Sequence, residues 1–381
     1  MKQNILIIAS LANSLPHFRG DFITKLVQQG YNVYAAAPDV SEKVSESLSK
    51  LGATYIPFKL ERTGLNPIKD FKSILQLKDI IVKNNIDLVF PYTIKPVVYG
   101  SIAANTAKMP TISLITGLGF TFSGASKKAK FLQNISKALY RYSLRKNKMV
   151  IFQNKDDLQL FLDHKILSSP ENTAIVNGSG VNLERYPYVP SKVNGQKVKF
   201  VIVARLIKEK GIQLFLEAAT KLKKQYPLSE FHVIGGLADS PSAIKLEVLE
   251  NLHQSGTIVF HGSRNDVPEF LKDMHVFVLP TFYREGVPRS ILEALSMGMP
   301  IITTDTPGCR ETVVQEKNGF LIPPKELNPL VEACRYFIEH PAMVAQMGEK
   351  SRQLAEQKFD VDIINSQLVE KIDMVLKSQT K

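Results

Sequence analysis

The chain has 381 residues, 44% hydrophobic and 22% charged, with two cysteines and no tryptophan. These proportions exclude a disordered or fibrous chain, and the length exceeds one ordinary core, so two domains are expected. Cys309 and Cys334 fit no metal-ligand spacing and give no disulfide framework, which suits a reducing cytoplasm. The first apolar run, residues 5–10, is too short for a leader or an anchor, and no stretch reaches the apolar length that crosses a bilayer. The net charge of +12 is uneven: residues 1–190 carry 24 Lys/Arg against 13 Asp/Glu, and residues 191–381 carry 24 against 23. The basic half predicts an anionic partner: a membrane surface, a lipid diphosphate or nucleic acid. The basic run lacks the interleaved aromatics of single-strand binders, which argues against nucleic acid.

In chain order, residues 5–10 read as a strand, 11–20 as a loop, and 21–29 as a helix closed by Gly30. Strands follow at 32–37, 54–57 and 88–91, with helices at 41–51 and 68–84. The alternation repeats about every thirty residues, as in a parallel sheet with right-handed crossovers. Residues 93–96 and 116–120 then fall at further strand ends, where open sheets of this kind bind ligands. Gly117 and Gly119 lack the third glycine of a dinucleotide fingerprint.

Residues 126–148 contain Lys127, Lys128, Lys130, Lys137, Arg141, Arg145, Lys146 and Lys148 and no acid, while Phe131, Ile135, Ala138, Leu139 and Tyr142 recur at helical spacing. The pattern predicts a basic amphipathic helix whose apolar stripe is partly buried and whose basic face meets lipid. A strand at 149–153, a helix at 155–164 and a last strand at 175–178 complete a domain over residues 1–183. Residues 184–197, with two prolines and scattered charges, read as a linker.

A second doubly wound domain, 198–359, opens with a strand at 199–203, followed by Arg205 and Lys210 with Gly211 opening a helix. Two cations and a helix N-terminus at a strand end suit a diphosphate. His232 to Gly236 is a strand ending in glycines. Residues 283–300 carry Glu285 in a turn and Glu293 in an apolar helix, after the buried strand 276–280. Placed at a strand end, both carboxylates are expected to face one cleft. A final helix, about 360–381, carries Ile363, Ile364, Leu368, Ile372 and Leu376 near helical spacing.

Glu285, Gly286, Val287 and Pro288 followed by Glu293 resemble the Glu-x7-Glu signature of retaining glycosyltransferases, family four, of the GT-B fold. Pro280, Thr281, Ala294, Gly298 to Ile302, Gly308, Asn318 to Leu321 and Val203 to Leu206 extend the likeness over nearly the whole chain. The resemblance implies an α/β protein of two Rossmann-like domains facing a cleft, with the last helix crossing back to the first domain. It implies a UDP-sugar donor, no metal, and a donor diphosphate neutralised by Arg205 and Lys210. Glu285 would bind the donor sugar, Gly286, Val287 and Pro288 would line its pocket, and Glu293 would take the ribose. Gly235, His261 and Arg264 would lie near the nucleotide.

On the acceptor side, many relatives carry a glycine pair where this chain has Asn13 and Ser14. His17 and Arg19 are the candidates there for holding an acceptor phosphate or hydroxyl. A similar Gly-Leu-Gly occurs in bacterial members acting on lipid-linked acceptors, which assigns Thr116, Gly117 and Gly119 to the acceptor. A general base stays unassigned. The expected reaction is transfer of N-acetylgalactosamine or a related hexose to an undecaprenyl-diphosphate-linked sugar at the cytoplasmic membrane face, in capsule, O-antigen or protein-glycan assembly. A UDP-sugar epimerase of the same fold and a basic nucleic-acid binder are the alternatives.

Overall fold

A computed structural model describes residues 2–61, 64, 66–119, 122, 127–193, 195, 197–238 and 240–379, without the side chains of 127–130. The chain forms two units, Met1–Ser179 with Val361–Lys381, and Gly180–Asp360. The boundary thus falls before the expected linker, whose residues belong to the second unit. Tyr186 is buried in that unit's core, and Val189 N–H donates to Met297 O at 3.2 Å. Apolar side chains between the charges anchor this stretch, which its prolines made read as a spacer.

In the first unit, β1 (Asn4–Ile8), β2 (Asn32–Pro38), β3 (Ala53–Phe58) and β4 (Leu88–Pro91) pair in parallel, in the order β3-β2-β1-β4. Isolated parallel bridges, Val89 to Thr111 and Tyr92 to Leu114, continue the ladder to β5 (Ile112–Ile115), β6 (Met149–Phe152) and β7 (Thr173–Ile175). The strands are near-continuous Ile/Leu/Val/Ala runs because helices cover both faces. The covering helices are α1 (Ser14–Gln28), α2 (Glu42–Lys50), α3 (Pro67–Lys83), α4 (Ile94–Thr106), α5 (Lys127–Leu144) and α6 (Lys155–Asp163).

In the second unit, β8 (Lys199–Val203), β9 (Glu230–Ile234), β10 (Val259–Phe260), β11 (Val276–Leu279), β12 (Ile301–Thr304) and β13 (Gly319–Ile322) form one parallel sheet, ordered β10-β9-β8-β11-β12-β13. Its helices include α7 (Ile212–Gln225), α8 (Leu246–Gln254), α9 (Val267–Leu271), α10 (Arg289–Ser296), α11 (Leu327–Glu339) and α12 (Ala342–Leu354). In each sheet the winding reverses beside its first strand, between β1 and β4 and between β8 and β11. Such a switch point opens the crevice in which α/β folds bind ligands. After a π-turn at Ala355–Phe359, α13 (Val361–Lys377) buries Ile364, Leu368, Ile372 and Leu376 in the first unit's core. Among the described residues no helix is long and apolar enough to cross a membrane.

Candidate active site

The β8/β11 switch point carries the strongest constellation. The chain leaves β8 through Arg205, makes a 3-10 turn at Lys208–Lys210, and enters α7. The carbonyl of Glu209 accepts from Phe282 N–H (2.9 Å), Tyr283 N–H (3.1 Å) and the Thr281 hydroxyl (3.0 Å), tying this turn to the loop after β11. That tie brings Lys210 against Glu285, whose carboxylate accepts from the ammonium; both side chains are largely buried. The Tyr283 ring lies 5.8 Å from the Arg205 guanidinium carbon and 5.6 Å from Lys210 Nζ. Two cations beside one aromatic ring are held close with a single carboxylate, Glu285, paired to Lys210.

Backbone packing fixes the carboxylate-bearing loop. A Cβ on Gly308, at φ +80°, would lie 1.7 Å from Gly286 O, so only glycine lets the loop after β12 pass behind residues 285–288. Gly235 plays a similar part at the end of β9, where a Cβ would meet Ala204 O at 1.9 Å. Cys309 sits in the same packing. Burial pushes its thiol up to about 11, with the Glu285 charge adding to the shift.

Glu285 and Glu293 take different partners. Glu293 lies inside α10, where Arg289 Nε donates to it at 3.1 Å and the Tyr186 hydroxyl also bonds it. Burial pushes this carboxyl up, and the Arg289 charge and the Tyr186 bond pull against it. Sequence reading missed Tyr186, Arg289 and Tyr283. Arg289 was legible, because it stands four residues before Glu293 on one helix face.

His261 lies beside the site's third strand end. Its Nε2 is 3.0 Å from His232 Nδ1, the two rings stack, and Phe270 meets it edge-on at 4.2 Å. Burial first, then the neighbouring His232, lowers the His261 pKa to about 4, so a neutral imidazole faces the loop at neutral pH. Arg264 is clamped by Asp266 at 2.6 and 2.7 Å and lies over Phe270. A hollow of about 710 Å³ between α7 and α8 is lined by Lys208, Leu216, Ile244, Val248 and Leu252 among others. None of Arg205, Lys210, Glu285 and Glu293 lines it, so volume does not mark the site.

In the first unit the expected acceptor loop is a helix. α1 begins at Ser14, with Asn13 at the N-cap position, so His17 and Arg19 are helical. Pro16 and Gly20 made the stretch read as loop. Proline in a first turn removes no needed hydrogen bond, and the Cβ position of Gly20 meets nothing closer than Leu51 Cδ1 at 3.5 Å. Asn13 and His17 are exposed, whereas Arg19 is buried with its guanidinium carbon 5.0 Å from the Tyr92 ring centroid. Arg19 therefore packs on Tyr92 inside the unit, where the sequence puts it on an open loop. Burial pushes the Tyr92 hydroxyl up to about 12, against the Ser14 hydrogen bond (2.7 Å) and the Arg19 charge. Thr116, Gly117 and Gly119 follow β5, with both glycines at positive φ. Thr93 Oγ1 donates to Ser10 Oγ at 3.0 Å, joining the loops after β4 and β1. Asn13, Thr93 and Thr116 thus follow the carboxyl ends of three neighbouring strands.

Of the basic helix, Lys127, Lys128 and Lys130 have side chains outside the described residues. Tyr140, Ser143 and Leu144 of α5 turn inward, while Phe131 and Tyr142 are exposed and Lys137 is half-buried. Arg141 is committed elsewhere: Nε donates to Lys165 O at 2.7 Å and Nη2 to His164 O at 2.9 Å, capping the end of α6. Its side chain stays exposed beside these bonds.

Two doubly wound parallel units, one with paired cations, a carboxylate and an aromatic ring at its switch point, define the GT-B architecture. The chain belongs to the group 1, or type 4-like, glycosyltransferases. The model for glycosyl transferases group 1 matches residues 189–354, and that for glycosyl transferase 4-like matches residues 7–154. A Campylobacter jejuni N,N'-diacetylbacillosaminyl-diphospho-undecaprenol alpha-1,3-N-acetylgalactosaminyltransferase is 29% identical over 96% of this chain and 97% of its own length. An Escherichia coli UDP-Gal:alpha-D-GlcNAc-diphosphoundecaprenol alpha-1,3-galactosyltransferase is 30% identical over 74% of this chain and 73% of its own. Among solved structures, a Rickettsia africae glycosyltransferase superposes with a TM-score of 0.79 at 19% identity, covering 99% of both chains. Anabaena HepE with UDP-glucose gives 0.77 at 19% identity, covering 97% of this chain and 99% of that one.

Proposed function

We propose that this glycosyltransferase moves N-acetylgalactosamine or a related hexose from its UDP derivative to an undecaprenyl-diphosphate-linked sugar, with retention and without a metal. The observation that carries the reading is the Lys210–Glu285 pair beside Arg205 and Tyr283 at the switch point. The diphosphate develops charge as the bond from the anomeric carbon to the β-phosphate oxygen breaks. Arg205 and Lys210 stabilise that charge where a metal otherwise would. Glu285 orients the sugar hydroxyls from the other side of Lys210. The acceptor oxygen then bonds the anomeric carbon on the face the phosphate leaves, and its proton passes to the departing phosphate oxygen. The Campylobacter and Escherichia relatives, whose names specify diphospho-undecaprenol acceptors, support the acceptor class.

The acceptor side is assigned to Asn13, His17, Thr116, Gly117 and Gly119, at the strand ends of the first unit. Lys127, Lys128, Lys130, Phe131, Lys137 and Arg141 of the basic helix are assigned to an anionic membrane surface, as a peripheral enzyme of the cytoplasmic face requires.

The test is a donor screen by nucleotide release, with and without a short-chain polyprenyl-diphosphate sugar. Acceptor-dependent UDP release from one donor, unchanged by EDTA, is the expected result. Release or interconversion without acceptor would indicate an epimerase or hydrolase, and a strict divalent-metal requirement would overturn the charge-neutralising role of Arg205 and Lys210.

A further inference from the structure

The helix α3 is apolar on two opposite faces. Its inner face buries Leu77 and Ile81 with Ser73, and buried Asp70 is held by Lys95 Nζ at 3.3 Å and by Asn66 N–H at 3.1 Å. On the outside Ile68, Phe71, Leu75 and Val82 are 72, 60, 44 and 58% exposed. At about 100° per residue these four fall within an arc of roughly 60°, centred nearly opposite Leu77. Scattered exposed apolar residues are ordinary, but four aligned along one helix make a stripe, broken once by the turn of Lys78 and Asp79. A surface helix needs only its core-facing stripe, so the second has a purpose outside the core.

Charge says what covers it. Lys72 and Lys83 border the stripe on one side and Lys78 on the other, and none of the three makes an ion pair among the described residues. Asp79 is the one exposed acid of the helix and borders the stripe between Ile68 and Lys72, in a half of the chain that is strongly basic. Aromatic and branched side chains flanked by lysines, on a helix too short and too charged to span, suit a helix lying in the plane of an anionic bilayer. An acidic protein partner would satisfy the lysines but not the breadth of the apolar stripe.

We propose that the outer face of α3 is a membrane-insertion stripe: Ile68, Phe71, Leu75 and Val82 enter the headgroup–acyl boundary and Lys72, Lys78 and Lys83 engage anionic headgroups. This deepens the peripheral-membrane reading, which rested on α5, and takes only its partner from it. It moves the apolar anchoring to an element that sequence reading had treated as a plain crossover helix.

The absence of tryptophan makes the test direct. Phe71→Trp and Phe131→Trp each supply a single reporter in the full chain. With vesicles of phosphatidylcholine plus phosphatidylglycerol, the Phe71→Trp emission is expected to shift blue and to be quenched by brominated acyl chains. Phosphatidylcholine alone should give a much smaller change. The triple variant I68S/L75S/V82S should lose at least about tenfold in vesicle partitioning, with its thermal melt and UDP affinity kept. A water-like Phe71→Trp emission on vesicle-bound protein would overturn the proposal, as would a concentration-dependent blue shift without lipid, which would mark a dimer face. Nucleotide release with a water-soluble acceptor reports the transferase reading independently: insertion without transfer sinks the reaction alone, and transfer without insertion sinks the stripe alone.

Discussion

Glu285 and Glu293 show how the same side chain acquires different work from its surroundings. Glu285 lies against Lys210, beside a cation-bearing tyrosine ring, at the end of a strand. Glu293 is one turn inside a helix with Arg289 and Tyr186. Glu285→Ala and Lys210→Ala should each lower turnover at least about a hundredfold, the scale of losing one transition-state charge contact, and each also leaves its largely buried partner uncompensated, so turnover is compared per folded protein. Arg289→Ala should act on stability first. It leaves a buried carboxylate short of its cation, so a stability loss of about 3 kcal/mol or more is expected. Adding Glu293→Gln to Arg289→Ala should return part of it, and chemical denaturation of the four proteins in that cycle measures the coupling. Buried histidines contribute to the acid response. His261 has its pKa lowered from 6.5 to about 4, and burial lowers His232 and His275 too. A lowered pKa means that the unfolded chain binds more protons between pH 4 and 6.5. Stability should therefore fall as pH drops through that window and be flat, as far as these groups go, above it. Thermal melts should show a shallower slope there in His261→Asn than in the parent; equal slopes would remove His261 from the account.

At the scale of elements, legibility followed hydrophobic continuity. The buried strands were readable because parallel strands covered on both faces are unbroken apolar runs, and β4 and β8 fall where the sequence puts them. Helix starts were less legible where proline and glycine intervened. α1 begins seven residues before the expected start because Pro16 is harmless in a first turn, and this moved Arg19 from a loop into the core. α5 was placed correctly, but its inward residue is Tyr140 and not Tyr142, since helix phase is decided by packing against Phe122 and Phe161. The site loops were legible as strand ends; the tie through the Glu209 carbonyl was not, because a backbone acceptor leaves no trace in residue identity. Glycine contacts offer the sharpest test at this scale. Gly308→Ala places a methyl where Gly286 O lies and must push the Glu285 loop outward. UDP affinity measured by calorimetry should drop at least about tenfold, well beyond the change in an exposed glycine such as Gly256, where a Cβ meets nothing within 4 Å.

Over the whole molecule, the two-domain reading came from length and from the restart of the β/α alternation at residue 199, and the division of labour came from charge. Where the chain changes unit was harder to see. The apparent linker is packed, and the true crossings at Ser179/Gly180 and Asp360/Val361 are short steps without a compositional mark. The second crossing makes the first unit depend on the far end of the sequence. Ile364, Leu368, Val369, Ile372, Val375 and Leu376 are buried in the first unit's core, and Asp373 accepts from the Tyr31 hydroxyl. A chain ending at Asp360 would expose the surfaces those side chains cover, at about 2 kcal/mol for each large apolar group uncovered. The constellation of Arg205, Lys210, Tyr283 and Glu285, proposed to hold the donor, lies wholly within Gly180–Asp360. The truncated chain should therefore lose the cooperative melt of its first unit and its vesicle binding while calorimetry still detects UDP. Loss of UDP binding together with the first unit's melt would show instead that the second unit's site is built only when the last helix is in place.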